Sequence, residues 1–409
     1  MARLPDIQLP AHLKERLAQG HPWVYRTHVP PEVRLPAGSW VRVRCGTWTG
    51  YGLWDASGPI ALRIFSQRQV PDARWLRERV RAAWELRLPL RAAGITAYRW
   101  LFGEGDGLPG LTVDLYGAFA VVQTSMDGAT VLLDWLIDAL RTLAPVRGIL
   151  LKAHGPEMGD QEEAALRPPL DARPPNPARH VSVIWGEAPP RDLVVVEHGL
   201  AFYADLYVGQ KTGLFLDQRE NRHFIERVSA ERTVLNCFAY TGGFALYALR
   251  GGASEVVSAD IGRGLAEAAA ANIALNGLNA AWHTFVVGDC FDLLARYAGE
   301  GRRFDLVILD PPSFARSQRS RYAALRAYTR LNTLAMRCVA PGGLLATASC
   351  TSQVGPEAFK EMLAVAAANA GRLLQIVHEA GQPLDHPVPA HFPEGRYLKF
   401  VVGRVIEPA

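Results

Sequence analysis

The period of the apolar positions changes along this chain, and the changes divide it into three blocks. In the first, Trp40-Val-Arg-Val-Arg-Cys45 alternates apolar and polar residues, as a strand with one buried face should. Gly50-Tyr-Gly-Leu-Trp54 and Ile60-Ala-Leu-Arg-Ile-Phe65 add short strands between glycine and proline turns, so residues 1–70 predict a small β barrel or sandwich. From 73 to 93 the period lengthens. Leu76, Val80, Ala83, Trp84 and Leu88 recur at helical spacing, with Arg74, Arg77, Arg81 and Arg91 between them. A mixed α/β block continues to residue 185, with paired strands at 111–115 and 118–123 and an amphipathic helix at 131–143. The proline-rich run 168–177 cannot hold regular structure and marks a loop or linker. In the third block, 186–409, a hairpin turns through His198-Gly199. Strands at 233–238, 255–260, 284–287, 304–310 and 344–349 then alternate with helices at 243–250, 265–275, 321–338 and 357–370. Apolar strands separated by helices predict a parallel, doubly wound, Rossmann-like α/β sheet.

Composition narrows the class. The chain has 409 residues, 49% of them hydrophobic and 21% charged, which excludes a largely disordered or fibrous protein. No run of about 18 uncharged apolar residues predicts a membrane span. Residues 1–6 show no apolar signal core, so a cytoplasmic location is expected. The five cysteines are scattered without a C-x-x-C pair; no metal site is expected, and the thiols read as reduced. Net charge is +4, and 39 of the 44 basic residues are Arg. That bias fits a GC-rich genome, and it is compatible with a polyanionic partner.

The candidate chemistry lies at the strand ends of the third block. The first strand leads into Cys237-Phe-Ala-Tyr-Thr-Gly-Gly-Phe244 and a helix. Ligands of open α/β sheets bind at strand C-termini near the first crossover. Gly242 and Gly243 let the backbone turn sharply and approach a ligand. Asp260 ends the second strand, where a carboxylate commonly holds the two hydroxyls of a ribose. The third strand ends at Asp289-Cys290 and the fourth at Asp310-Pro-Pro-Ser-Phe314. Each acid alone could cap the next helix; together they point to a ligand. The glycine spacing lacks the G-x-G-x-x-G that cradles a pyrophosphate, which favours S-adenosylmethionine, a cofactor without phosphate, over a nicotinamide.

Two prolines stiffen the loop that aims Asp310 across the cofactor site, and Asp-Pro-Pro resembles the motif of S-adenosylmethionine enzymes that methylate amino nitrogens or ring carbons, which implies a planar nitrogenous target. Cys350 ends the fifth strand in Thr347-Ala-Ser-Cys-Thr-Ser352 and should share that cleft. Carbon 5 of a pyrimidine is a poor nucleophile, but a thiolate adding at carbon 6 makes it enamine-like. A base then removes the carbon 5 proton and the thiol leaves, while Asp310 holds or protonates ring nitrogen 3. The competing reading of Cys350 is a small buried thiol. Cys237, Cys290 and Cys338 read as packing or cofactor lining. Arg316, Arg319, Arg321, Arg326 and Arg330 follow the Asp-Pro-Pro loop, either to grip RNA phosphates or as a solvated helix face.

Asn236-Cys-Phe-Ala-Tyr-Thr-Gly-Gly-Phe244, Asp310-Pro-Pro-Ser-Phe314, Ser349-Cys-Thr-Ser352 and Pro393-Glu-Gly-Arg-Tyr-Leu-Lys399 together resemble the bacterial RlmI-type enzymes, which methylate a cytosine at carbon 5 in large-subunit ribosomal RNA. Gly209-Gln-Lys-Thr-Gly213, Leu216-Asp-Gln-Arg-Glu-Asn-Arg222, Gly105-Asp-Gly-Leu-Pro-Gly110 and Gly20-His-Pro-Trp-Val-Tyr25 extend the resemblance over nearly the whole chain. It implies an RNA-binding PUA domain at 1–70, a central α/β domain at 71–185 and a class I S-adenosylmethionine-dependent methyltransferase domain at 186–409. It implies Cys350 as nucleophile and places the cofactor against Phe238, Tyr240, Thr241, Gly243, Asp260, Asp289 and Asp310. Lys211, Thr212, Asp217 and Arg219 are expected to flank the site, Glu394 is a candidate base, and family members suggest a homodimer. Ser313 departs from the family, which often has Lys there. Two other functions stay open: methylation of a guanine or adenine nitrogen with Cys350 structural, and an RNA-binding assembly factor without turnover.

Overall fold

The computed structural model describes residues 4–152, 181–315 and 320–408. The proline-rich run at 168–177, Arg316 and Arg319 lie outside the described residues. The chain divides into two compact units. The first holds the chain up to Val195 together with Ala204–Leu216 and Leu384–Gly395; the second holds Val196–Tyr203, Asp217–Pro383 and Arg396–Ala409. Among the described residues no helix is long and apolar enough to cross a membrane.

The first unit contains two five-stranded sheets. Strands β1 (Asp6–Gln8), β2 (Trp23–Tyr25), β3 (Trp40–Cys45), β4 (Trp48–Trp54) and β5 (Ile60–Ser66), with the short helix α1 (Lys14–Ala18), form the first, in the order β1-β3-β4-β5-β2. Along β3 the alternation works as expected: Val41, Val43 and Cys45 are buried, and Arg42 and Arg44 face out. The second sheet takes β6 (Ala97–Phe102), β7 (Leu111–Tyr116), β8 (Phe119–Thr124), β9 (Gly148–Lys152) and β10 (Val181–Gly186) in reverse chain order. The single helix expected over 73–93 is two, α2 (Ala73–Leu86) and α3 (Leu88–Ala92). In a continuous helix the Pro89 ring would collide with the carbonyl of Glu85. At the break Arg87 is buried and donates to both oxygens of Asp106 at 2.6 and 2.7 Å. Leu88, expected on the apolar face, is instead 59% exposed. Helix α4 (Leu133–Leu143) buries Leu136, Ala139 and Leu140.

Next along the chain, β11 (Val194–Glu197) and β12 (Leu200–Tyr203) make the expected hairpin. His198 and Gly199 have φ of +46° and +78°, the left-handed pair of a tight hairpin turn. In the second unit α5 (Arg219–Arg227) precedes a seven-stranded sheet. Its strands are β13 (Thr233–Cys237), β14 (Glu255–Asp260), β15 (His283–Val287), β16 (Phe304–Leu309), β17 (Val339–Ser349), β18 (Leu373–Ala380) and β19 (Lys399–Ile406). They lie in the order β15-β14-β13-β16-β17-β19-β18. The five strands expected from the sequence are parallel; two further strands join them, with β19 antiparallel to both β17 and β18. Strand β18 is an edge with Leu373, Ile376 and Val377 exposed, so it carries no period-two signal.

Helices α6 (Gly243–Arg250), α7 (Leu265–Leu275), α8 (Cys290–Gly299), α9 (Arg321–Cys338) and α10 (Pro356–Asn369) cover the two faces. Successive strand residues point to opposite faces. Thus Leu235, Val307 and Leu309 pack with Leu294, Tyr328 and Phe359, whereas Val234, Leu306 and Ile308 pack with Phe244, Ala245 and Ile273. The chain runs outward from β13 to β15 and then returns to the other side of β13 as β16. The C-terminal ends of β13 and β16 therefore flank the point where strand order reverses, where open α/β sheets leave a crevice.

Candidate active site

The loop after β13 holds side-chain-bearing residues in the left-handed region, with φ of +60° at Phe238 and +48° at Tyr240. Each such residue costs about 1–2 kcal/mol and persists only where its surroundings fix it. Here they do. Phe238 N–H donates to Cys290 Sγ at 3.3 Å, Ala239 N–H to the Ala259 carbonyl at 3.0 Å, and Tyr240 N–H to Asp260 Oδ2 at 2.9 Å. Asn272 Nδ2 donates to the Thr241 carbonyl at 3.0 Å. The other Asp260 oxygen accepts Gly262 N–H at 3.0 Å, so one half-buried carboxylate ties together the ends of two strands. Gly242 turns the chain at φ +82°, and a Cβ there would meet that of Ala269 at 3.1 Å. Under Gly243 lies the stem of Arg222, whose guanidinium donates to both oxygens of buried Glu197 at 2.8 Å.

The third strand end divides its two residues. Asp289 Oδ1 accepts the N–H groups of Phe291 at 2.7 Å and Asp292 at 3.2 Å, so it caps α8. Cys290 is buried behind the loop, where its contact with Cys237 and the burial of both push the Cys237 thiol well up.

Asp310 and Cys350 follow neighbouring parallel strands, since Leu309 pairs with Thr347. Both act on one group, the buried phenol of Tyr328 on α9. Burial pushes its pKa up, and ionisation of Cys350 or Asp310 pushes the same way. Ser349 Oγ donates to that phenol at 3.1 Å. The Asp310 carboxylate accepts from Gln218 Nε2 at 2.7 Å, and Gln218 Oε1 accepts from Asn221 Nδ2 at 2.6 Å. Of the five free cysteines Cys350 is half-buried and the other four are buried. Across the β17–β19 ladder, Lys399 stands opposite Ser349. It is 4% exposed, and its ammonium donates to the carbonyls of Thr351 and, at 2.8 Å, Tyr397. Burial brings its pKa down to about 8, against the pull of Cys350, which raises it.

The remaining expected residues scatter. Asp217 is buried and accepts from Tyr397 Oη at 2.7 Å; Arg219 is buried with Nε 3.0 Å from Glu220 Oε1. Lys211 and Thr212 fall in the first unit, where the Thr212 hydroxyl donates to Asp114 Oδ2 at 2.6 Å and Lys211 sits 4.6 Å over the Phe215 ring. Glu394, the candidate base, also belongs to the first unit. Its carboxylate is held by Arg16 at 2.6 Å and lies 3.3 Å from His21 Nε2, an ion pair that accounts for it structurally. Arg321 is exposed at the start of α9. The sequence assigns Gln218 nothing beyond its place in the Asp217-Gln-Arg219 stretch expected to flank the site, and Lys399 no role of its own. Both lie inside motifs visible in the sequence, but their partners are 92 and 48 positions away.

The donor set fits S-adenosylmethionine. The glycine turn leaves a backbone cradle that a Cβ would crowd, and Asp260 and Asp310 offer carboxylates to hydroxyls and to a cationic ligand, where a phosphate would be repelled. Comparison with known proteins agrees. Residues 175–390 match the S-adenosylmethionine-dependent methyltransferase family and residues 7–67 the PUA-like domain. The ribosomal RNA large subunit methyltransferase I of Aeromonas salmonicida (strain A449) is 37% identical over 397 residues, covering 96% of this chain and 97% of its own. That of Erwinia tasmaniensis is 37% identical over 401 residues, covering 96% and 97%. Among solved structures, a methyltransferase crystallised with SAH superposes with a TM-score of 0.84 at 22% identity, over 98% of this chain and 100% of that one. A SAM-dependent methyltransferase from Streptococcus mutans gives 0.83 at 20%, with the same coverage. At such identity the superpositions show a shared fold.

Proposed function

Since the chain belongs to the S-adenosylmethionine-dependent methyltransferase family of ribosomal RNA large subunit methyltransferase I, we propose that it methylates carbon 5 of a cytosine in large-subunit ribosomal RNA, with Cys350 as nucleophile. The observation that carries this reading is the contrast among the thiols. Four are buried; the fifth stands half-exposed past the end of β17, on the strand next to the one that delivers Asp310.

When bound, S-adenosylmethionine supplies an electrophilic methyl group. Asp260 accepts from the ribose hydroxyls, and the Phe238–Gly242 turn, fixed by Cys290, Ala259 and Asp260, presents backbone to the rest. The Cys350 thiolate adds to carbon 6 of the cytosine, forming an S–C bond and moving the ring electron pair onto carbon 5. A proton taken up with the substrate and shared between Asp310, oriented by Gln218, and ring nitrogen 3 neutralises the negative charge that develops there. Once carbon 5 carries its methyl group, a general base takes the carbon 5 proton, the C–S bond at carbon 6 breaks, and the Cys350 thiolate leaves as the ring double bond re-forms. The PUA-like block and the exposed Arg321 supply contacts to RNA phosphates.

Mass spectrometry of nucleosides tests the reading. Unmodified large-subunit ribosomal RNA, free and in assembled particles, is incubated with the protein and S-adenosylmethionine and then digested. New 5-methylcytidine is the expected product. A methylated guanosine or adenosine would return Cys350 to a structural role. No product from either substrate would refute the reading.

A further inference from the structure

Lys399 is a basic residue out of keeping with its chain. Basic positions here are overwhelmingly Arg, yet this one, 4% exposed, is one of five Lys. Burying an ammonium costs several kcal/mol unless an opposite charge or good hydrogen bonds offset it. Two neutral carbonyls, of Thr351 and Tyr397, take two of its three donors. Among the described residues no carboxylate stands within ion-pair distance of it, and the opposite charge that acts on it is that of Cys350. The ladder explains the placement. Lys399 opens β19 directly across from Ser349, the residue before Cys350, and its ammonium ties down the carbonyl of Thr351, the residue after it.

The geometry points to Lys399 as a positioning residue for Cys350: it fixes the segment that carries the thiol and holds the thiol as its thiolate, ready to add to the pyrimidine. The inference rests on Cys350 being the nucleophile and deepens that reading. A lysine suits the task better than an arginine, because a compact ammonium is a point charge on a flexible stem. Its charge and that of the thiolate favour each other, so the two titrate as a pair. Two nearby groups among the described residues work against ionisation of the thiol or are neutral. Asp310 repels a thiolate, and Tyr328 stays a neutral phenol because burial pushes it up. Tyr397 turns its hydroxyl away to Asp217.

Alkylation by iodoacetamide reads this coupling without RNA or cofactor. The thiolate sulfur forms a C–S bond as the C–I bond breaks and iodide leaves. The other four thiols are buried, so in the folded protein the rate reports Cys350, confirmed by peptide mapping. In the wild type the rate-against-pH midpoint should lie below the ordinary thiol value of about 8.5. In Lys399→Met it should rise by about one unit, a tenfold lower rate near pH 7. Lys399→Arg should bring it back toward the wild type. An unchanged midpoint in a folded Lys399→Met protein would overturn the proposal, as would an Arg variant that behaves like the Met variant. If Lys399→Met does not fold, a wild-type midpoint at or above 8.5 overturns it and one clearly below supports it. Because the readout needs no methyl transfer, failure of the cytosine reading shows separately, in the nucleoside products.

Discussion

Removing the Asp260 carboxylate should loosen both the turn after β13 and its grip on the cofactor. Its oxygens accept Tyr240 N–H at 2.9 Å and Gly262 N–H at 3.0 Å. Hydrogen bonds to a charged group contribute about 1.5–3 kcal/mol each, and the first of these holds Tyr240 at a φ that by itself costs about 1–2 kcal/mol. With partial relaxation, Asp260→Ala should cost the free protein about 2 kcal/mol. For a body of this size that lowers the melting midpoint by about 4–8 °C. Binding suffers further, because the ribose loses its acceptor and the turn must be ordered on binding. A loss of about 2–3 kcal/mol corresponds to a dissociation constant about 30–150-fold higher. Asp260→Asn, which keeps one acceptor oxygen, should fall between. Calorimetric titration with S-adenosylhomocysteine and a thermal melt of the same samples measure both quantities. An Asp260→Ala protein that binds within about threefold of the wild type would refute the ribose role, whatever its melting point.

Three further outcomes follow from the same geometry. Cys350→Ala should abolish methyl transfer yet leave cofactor affinity within about twofold, since Cys350 lies outside the turn after β13; transfer at the wild-type rate would end the thiolate mechanism. Arg222→Met strands the buried carboxylate of Glu197, which should cost about 3–5 kcal/mol in urea unfolding, with much of it recovered in the double variant Arg222→Met/Glu197→Gln; no recovery would mean the guanidinium acts mainly by packing under Gly243. His283, which burial brings down to about 4, refuses a proton that the unfolded chain accepts near 6.5. Stability should therefore decline as pH falls from about 6.5 to 4, by up to about 3 kcal/mol, and His283→Gln should flatten that stretch; identical slopes in the two proteins would exclude His283 as the cause.

Short-range features were legible along the chain. The alternation of Trp40–Cys45 and the parallel strand–helix succession from 233 to 349 follow from side-chain period and burial, which a sequence displays directly. The Asp260 position is readable for the same reason, because the turn it serves lies only twenty residues upstream. Asp289 shows the limit of such reading. A carboxylate at a strand end fits both a ligand and a helix cap, and only the bonds to Phe291 and Asp292 reveal the capping use. The motif around Pro393–Lys399 is visible as a string, yet its two ends serve different units, Glu394 with Arg16 in the first and Lys399 beside Cys350 in the second.

The sequence by itself determined the strand and helix order at the core of the second unit, the strand ends where acids and glycines gather, and which cysteine ends the fifth parallel strand. The tertiary structure decided what those groups face. Strand β19 enters antiparallel between β17 and β18 and so sets Lys399 against Ser349; α5 brings Gln218 to Asp310. Pairings across 48 and 92 positions leave no local periodicity, because they are fixed by sheet register and helix packing. The charge environment of the thiol, on which its reactivity depends, is set by that register.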